Sequence, residues 1–286
     1  MHVQVNGIRL FFDVEGAELA PAGGSMRRKP TLILLHGGPG MDHSGYKPRF
    51  SELADVCQVV YLDHRGNGRS DPATPETWTL AQWGDDVHAF CETLGIERPI
   101  VYGASFGGTV AMSYATRHPR HPGKLVLVSA EAQGASHYAE RIAMFEKLGG
   151  AEVGALARRR FLGGQVDPAM LQDWIRLAFP VYTRKPRDAD AVKRALLRPE
   201  VNLWFTRPGG EGRGYDLLRE LGRIQCPTLV MGGEEDPMTP IVCQEEIAAA
   251  LPSHLVRFER FAGCGHGVVH DAPERAMAVI RQFIAT

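Results

Sequence analysis

Gly103-Ala104-Ser105-Phe106-Gly107 stands between the apolar run Pro99-Ile100-Val101-Tyr102 and a helix-compatible stretch from Thr109 to Thr116. A serine set among small residues on a sharp strand-to-helix turn projects its hydroxyl outward, where it can act as a nucleophile. The glycines matter because such a turn is strained and leaves little room for side chains beside the serine. The pattern alone is common by chance, so its surroundings carry the argument.

Working outward, apolar runs without alternation recur at Thr31-Leu32-Ile33-Leu34-Leu35, Gln58-Val59-Val60-Tyr61-Leu62, Ile100-Val101-Tyr102 and Leu125-Val126-Leu127-Val128. They resume at Thr228-Leu229-Val230-Met231 and Leu255-Val256-Arg257-Phe258. Such runs indicate strands covered on both faces, as in a parallel sheet. Between them, Leu80, Trp83, Val87, Phe90, Cys91 and Leu94 recur at helical spacing, which predicts a helix over 80–94 with one buried face. Near the start, Val3-Gln4-Val5 and Ile8–Val14 read as a hairpin closed by Asn6-Gly7, and residues 20–29 as an exposed loop. The alternation of strands and helices gives an α/β layer architecture.

From Glu131 to Gly222 no comparable strand run occurs. Segments 137–148, 151–162, 168–178 and 188–197 read as helices, so 131–222 is expected to be a helical cap inserted in a core made of 1–130 and 223–286. The chain closes on a helix with Ala276, Val279, Ile280, Phe283 and Ile284 on one stripe.

Composition narrows the classes. With 32 Lys and Arg against 33 Asp and Glu, and no long basic block, a nucleic-acid groove is not expected. Arg158-Arg159-Arg160 is the densest basic cluster and reads as a solvated helix face. No apolar stretch approaches the roughly 20 residues that span a bilayer, and Met1–Gly7 lacks the features of a signal peptide. Five cysteines without C-x-x-C spacing suggest reduced thiols, hence a soluble cytoplasmic protein. The ligand spacings of metal motifs are absent, so neither a metal nor another cofactor is expected. Oligomeric state is not readable.

A serine nucleophile needs an imidazole base, and that imidazole needs a carboxylate to hold its tautomer. In an open α/β sheet such groups collect at the carboxyl ends of strands. Gly232-Gly233-Glu234-Glu235-Asp236-Pro237-Met238 follows one late strand, and Phe261-Ala262-Gly263-Cys264-Gly265-His266-Gly267 follows the next. Ser105, Asp236 and His266 therefore fall in the chain order of an α/β-hydrolase triad. Glu234 and Glu235 compete with Asp236, and His270 with His266, although His270 is better placed to open the final helix. Acyl transfer also needs two oxyanion donors. The backbone N–H of Phe106 offers one. His36-Gly37-Gly38-Pro39-Gly40 offers the other at Gly38, with Gly37 next and also near the substrate; His36 is expected to brace the loop. In Asp63-His64-Arg65-Gly66-Asn67-Gly68-Arg69-Ser70, Asp63 and Arg65 are expected to pair across a tight turn. Trp204, with Trp174, Phe179, Tyr182 and Phe205, is a candidate for an apolar substrate pocket.

These residues together resemble the α/β-hydrolase superfamily and, more narrowly, its proline iminopeptidase branch. The motifs that carry the resemblance are His36–Gly40, the D-x-R-G-x-G-x-S segment Asp63–Ser70 and the Ser105 elbow, with Asp236 and His266. The residue after the serine is Phe106, where that branch carries tryptophan. The resemblance implies a mostly parallel eight-stranded sheet flanked by helices, with a helical cap after the sixth strand. It also implies a serine hydrolase acting on a small ester, lactone or amide. In that branch, cap carboxylates bind a free amine, yet no cap motif aligns here. Residues 131–222 hold 15 basic and 12 acidic residues, whereas an amine-binding cap would lean acidic. An esterase or lactonase is therefore ranked above an aminopeptidase. A non-catalytic ligand-binding protein on the same scaffold is the reading from another class.

Overall fold

A computed structural model describes residues 1–186 and 193–286. Ten strands follow in chain order: β1 (His2–Val5), β2 (Ile8–Glu15), β3 (Leu19–Ala22), β4 (Ser25–Arg28), β5 (Thr31–Leu35), β6 (Gln58–Leu62), β7 (Ile100–Ala104), β8 (Lys124–Val128), β9 (Thr228–Gly233) and β10 (Val256–Phe261). Eight of them form one sheet in the order β1-β2-β6-β5-β7-β8-β9-β10. The pairs β1–β2 and β2–β6 are antiparallel, and the rest of the ladder is parallel. The order steps back from β6 to β5 and then out to β7, which opens a crevice at the strand ends where ligands bind in such sheets.

The unbroken apolar runs are buried because helices cover both faces. Leu32, Ile33, Leu34 and Leu35 are all fully buried, as are Leu125, Val126 and Leu127. Each such side chain contributes about 1.5–3 kcal/mol of transfer free energy. Helix α1 (Leu80–Leu94) and helix α2 (Phe106–Arg117) pack together on one face. The Thr79 side chain accepts from the Gln82 N–H to start α1, and Gly95, at φ 65°, ends it. Trp83, Val87, Phe90 and Cys91 are buried along it, whereas Leu94 is exposed at the last turn. The C-terminal helix Pro273–Ala285 covers the other face with Ala276, Met277, Ile280, Phe283 and Ile284.

Residues 19–28 depart from the expected loop: β3 and β4 form a small antiparallel ribbon turned at Gly23-Gly24. β4 is exposed along its whole length, so no alternation marked it in the sequence.

Between β8 and β9 stand helix α3 (Tyr138–Phe161), broken at Gly150, helix α4 (Pro168–Asp173) with a wider turn over Trp174–Ala178, and a helix over Pro199–Thr206. Of the predicted helical segment 188–197, residues 188–192 lie outside the described residues and 195–197 are not helical. Phe145, Leu156, Phe161, Met170, Trp174 and Tyr182 form a hydrophobic cluster of their own. Val201, Phe205 and Leu221 instead join the core cluster beneath the sheet's α1–α2 face.

Candidate active site

Ser105 sits where β7 turns into α2, with φ 54° and ψ −126°. This is left-handed backbone that a non-glycine residue adopts only under constraint. The constraint is steric and hydrogen-bonded. A Cβ at Gly103 would lie 2.2 Å from the Gly107 carbonyl oxygen, and one at Gly107 would lie 2.0 Å from that of Leu35. The Ser105 N–H donates to the Val128 carbonyl at 2.9 Å, while its own carbonyl accepts from the Gly108 N–H at 2.8 Å. The strained turn is thereby clamped between β8 and the first turn of α2. Phe106 is the first residue of α2, so its N–H has no acceptor within the helix and sits at the positive end of the helix dipole.

Asp236 follows β9 and is fully buried. Its Oδ1 accepts from the Met238 and Thr239 N–H groups, each at 2.8 Å, and its Oδ2 lies 2.8 Å from the Thr239 hydroxyl. The His266 Nδ1 donates to the same carboxylate, 2.8 Å from Oδ2 and 3.1 Å from Oδ1. That bond places the imidazole proton on Nδ1 and leaves Nε2 free to accept. Of the competing acids, Glu234 is exposed, and Glu235 is half-buried with its carboxylate 4.0 Å from Arg184. His270 is exposed in the short helix Val268–Asp271, near the Lys185 and Pro186 carbonyls.

The His266 loop is held from both sides. The His266 N–H donates to the Tyr182 carbonyl at 2.6 Å, and the Tyr182 ring stands edge-on to the imidazole at 5.3 Å. Gly265 has no room for a side chain, because a Cβ there would meet the Tyr182 oxygen at 2.3 Å. Asp271, buried, accepts from the Gly265, Arg184 and Lys185 N–H groups at 2.8, 2.9 and 3.0 Å. One carboxylate thus ties the histidine loop to the 182–185 segment. Nothing in the local sequence marks Asp271, since its partners are backbone groups distant along the chain.

Gly38, at φ 126°, and Pro39 border the same pocket as Ser105 and Phe106. Gly37 packs directly on the serine, because a Cβ there would lie 3.4 Å from the Ser105 Cβ. His36 braces this loop as expected: Nδ1 donates to the Gly37 carbonyl at 2.8 Å, and Nε2 accepts from the His64 N–H at 3.2 Å. Burial lowers the pKa of His36, and lowers that of His64 further, so both are neutral near pH 7. The Gly40 N–H donates to Asn67 Oδ1, joining the loop to the Asp63–Ser70 segment.

In that segment the expected Asp63–Arg65 pair does not form. Asp63 accepts from the His43 ring at 2.7 Å and from the Arg69 N–H at 2.9 Å. Arg65 instead makes a bidentate, buried pair with Asp86 on α1, at 2.7 and 2.9 Å. The two separate because each charge is met by a different neighbour, Asp63 by His43 and the Arg69 N–H, and Arg65 by Asp86 on α1. The Asp63 pKa is lowered: burial alone would raise it, and the His43 bond with the adjacent imidazoles outweighs that.

The pocket at Ser105 holds about 80 Å³ and is further lined by Thr109, Glu131, Arg160, Asn202, Phe205, Tyr215, Met238 and Thr239. Trp204 is not among them. It lines a separate outer cleft of about 250 Å³ with Pro75, Trp78 and Glu211, under the Arg207 guanidinium 3.5 Å from its ring. The correction is one of helical phase: on Pro199–Thr206, Asn202 and Phe205 face inward and Trp204 is turned outward.

Arg158-Arg159-Arg160 also divides. Arg158 meets Glu146 at the surface, whereas Arg160 is buried with its guanidinium over the Trp174 ring at 4.7 Å. Away from the pocket, α1 and the turn after α2 gather His88, Glu92 and His121, whose ligand atoms lie within 4.8 Å of one another. Sequence spacing does not show this group because its members come from two elements. All five cysteines are free and buried, Cys264 included.

The family model for the alpha/beta hydrolase fold matches residues 30–273. A putative carbamate hydrolase RutD of Caulobacter sp. (strain K31) is 28% identical over 276 residues, 95% of this chain and 97% of that one. A proline iminopeptidase of Lactobacillus helveticus is 28% identical over 280 residues, covering 91% and 92%. The crystal structure of the proline iminopeptidase of Mycobacterium smegmatis superposes with a TM-score of 0.79 at 26% identity, covering 100% of this chain and 97% of that one. No helix among the described residues is long and apolar enough to cross a membrane. The chain belongs to the alpha/beta hydrolase fold family.

Proposed function

We propose that this hydrolase cleaves a small carboxylic ester or amide through a Ser105-His266-Asp236 triad, with an ester or lactone as the preferred substrate. The observation that carries this reading is the buried Asp236–His266 hydrogen bond, set at the strand ends beside the pocket that contains Ser105. His266 Nε2 takes the proton from Ser105 Oγ as that oxygen attacks the carbonyl. The N–H groups of Phe106 and Gly38 stabilise the oxyanion that forms. Collapse expels the alcohol or amine, which leaves with the proton held on His266. Water, deprotonated by the same imidazole, then releases the acid and restores the serine. Residues 131–222 serve as the lid that limits substrate size. Five buried free thiols support a cytoplasmic setting.

Similarity to proline iminopeptidases favours the second reading, an aminopeptidase. Such an enzyme needs a carboxylate free to bind an ammonium group. Among the described residues lining the pocket, Glu131 is the one carboxylate, and the Arg141 guanidinium is bonded to it. Burial works against the Arg141 charge, but Glu131 beside it raises the arginine pKa, so the guanidinium stays charged against that carboxylate.

Purified protein assayed on short-chain p-nitrophenyl esters and on prolyl and alanyl arylamides decides between them. The proposal expects turnover of the esters, lost in Ser105→Ala. A clear preference for free-amine arylamides would reverse the ranking. Turnover unchanged in Ser105→Ala would remove the serine from the mechanism.

A further inference from the structure

Arg160 is an unusual lining residue for a small acyl pocket. It is 9% exposed, and among the described residues no hydrogen bond or ion pair engages its guanidinium. Its recorded side-chain neighbour is the flat face of Trp174, which supports a cation without neutralising it. Burying a charge without a partner is costly, so buried cations are normally paired. The neighbouring charges do not provide a partner. Glu131 is committed to Arg141, and Arg213 adds positive charge behind Arg160, donating to the carbonyls of Arg160 and Thr206. Burial lowers the Arg160 pKa, the direction expected of a guanidinium held without an anion.

The position is also not one a solvated arginine takes. Val153, Leu156, Ala157 and Arg160 follow at helical spacing on α3 and are all buried, so Arg160 lies on the apolar stripe facing inward. It reaches the same pocket as Ser105, Phe106, Met238 and Thr239. Five N–H donors in a planar fork, in the lining of a pocket that also holds a serine, form a receptor for a planar anion.

We propose that Arg160 is an anion-binding subsite of the Ser105 pocket, selecting substrates that carry a carboxylate a few bonds from the carbonyl under attack. This rests on the hydrolase reading above, and deepens it by naming the substrate class as half-esters or half-amides of small dicarboxylic acids. Arg160 would be a binding residue, fixing the substrate's far end while Ser105 meets its near end.

Two esters of equal chain length test it: monomethyl succinate, which carries the carboxylate, and methyl butyrate, which does not. Hydrolysis is followed by pH-stat titration in wild type, Arg160→Gln and Arg160→Lys. The expected ratio of kcat/KM, anionic over neutral, is at least about 10 in wild type. It falls to about 1 or below in Arg160→Gln and recovers in part in Arg160→Lys. A general loss of folding changes both rates together and leaves the ratio in place, so the ratio reports recognition. A wild-type ratio near 1, or a ratio unchanged by Arg160→Gln, overturns the subsite.

Calorimetric titration of Ser105→Ala with monomethyl succinate separates this from the catalytic reading. The subsite predicts binding that weakens by at least about tenfold in Ser105→Ala/Arg160→Gln. Binding that depends on Arg160, without hydrolysis of either ester by wild type, would sustain the subsite and defeat the hydrolase assignment. Hydrolysis of both esters at equal rates would do the reverse.

Discussion

Asp236 Oδ2 lies 2.8 Å from His266 Nδ1, and the carboxylate that makes this contact is wholly shielded from solvent. Three further donors, the Met238 and Thr239 N–H groups and the Thr239 hydroxyl, surround its two oxygens. The acid is fixed before substrate arrives, and it fixes the imidazole in turn. Replacing Asp236 with Asn offers an amide N–H where the imidazole needs an acceptor, which favours the wrong tautomer. Ester turnover by Asp236→Asn is expected to fall on the order of 10³–10⁴-fold in kcat, with KM little changed. Steady-state kinetics check this, and a loss of less than tenfold would remove Asp236 from the triad.

The elbow tolerates no added atom on its inner side. A Cβ at Gly107 would lie 2.0 Å from the Leu35 carbonyl oxygen, and both partners are backbone. Gly107→Ala must displace β5 or α2, at a cost of more than about 3 kcal/mol. Thermal unfolding is expected to show a loss of several degrees or an insoluble product. At Gly24 nothing lies within 4 Å of an added Cβ, so Gly24→Ala should leave Tm within about 1 °C.

Arg65 and Asp86 form a buried bidentate pair between the Asp63–Ser70 turn and α1. Removing either partner leaves the other charge buried and uncompensated, at a cost of about 3–5 kcal/mol. Asp86→Ala should therefore lower Tm strongly, while Arg65→Met/Asp86→Leu, which removes both charges, should lose much less. Equal losses in the single and double variants would show that packing, and not the stranded charge, sets the penalty.

His36 and His64 are buried neutral, with pKa values lowered by burial. In the unfolded chain each takes a proton near its ordinary value of about 6.5. As pH falls below that value the unfolded state binds more protons than the folded one, so stability declines. Tm is expected to drop between pH 7.5 and pH 5.5. Each histidine contributes a slope of up to about 1.4 kcal/mol per pH unit below 6.5. His64→Gln should flatten that decline by one proton's share. A Tm that rises on acidification in this window would contradict the assignment.

Much of this was legible in the sequence because the signals are local. An unbroken apolar run such as Leu32–Leu35 reports burial on both faces, and the 80–94 stripe reports one helical face with its Thr79 and Gly95 ends. The strand-end placement of Ser105, Asp236 and His266 was readable because each follows a strand in glycine-rich chain. What failed depended on partners distant in sequence. Arg65 finds Asp86, not Asp63, and no turn rule reveals that. Trp204 and Phe205 differ by one helical step, and only the packed helix decides which faces the serine. Arg160 hid within an apparent basic cluster, although its register with Val153, Leu156 and Ala157 placed it on the buried stripe. The ribbon of β3 and β4 lacks a buried face, so no pattern announced it.

Covalent labelling tests the central claim most directly. The protein is treated with a fluorophosphonate, which phosphonylates an activated serine, and the adduct is located by mass spectrometry of the digested chain. The account predicts one label per chain, on Ser105, with hydrolysis lost in step and no labelling of Ser105→Ala. Full hydrolytic activity in protein whose Ser105 stays unlabelled, or a label on another residue that abolishes activity, would contradict it.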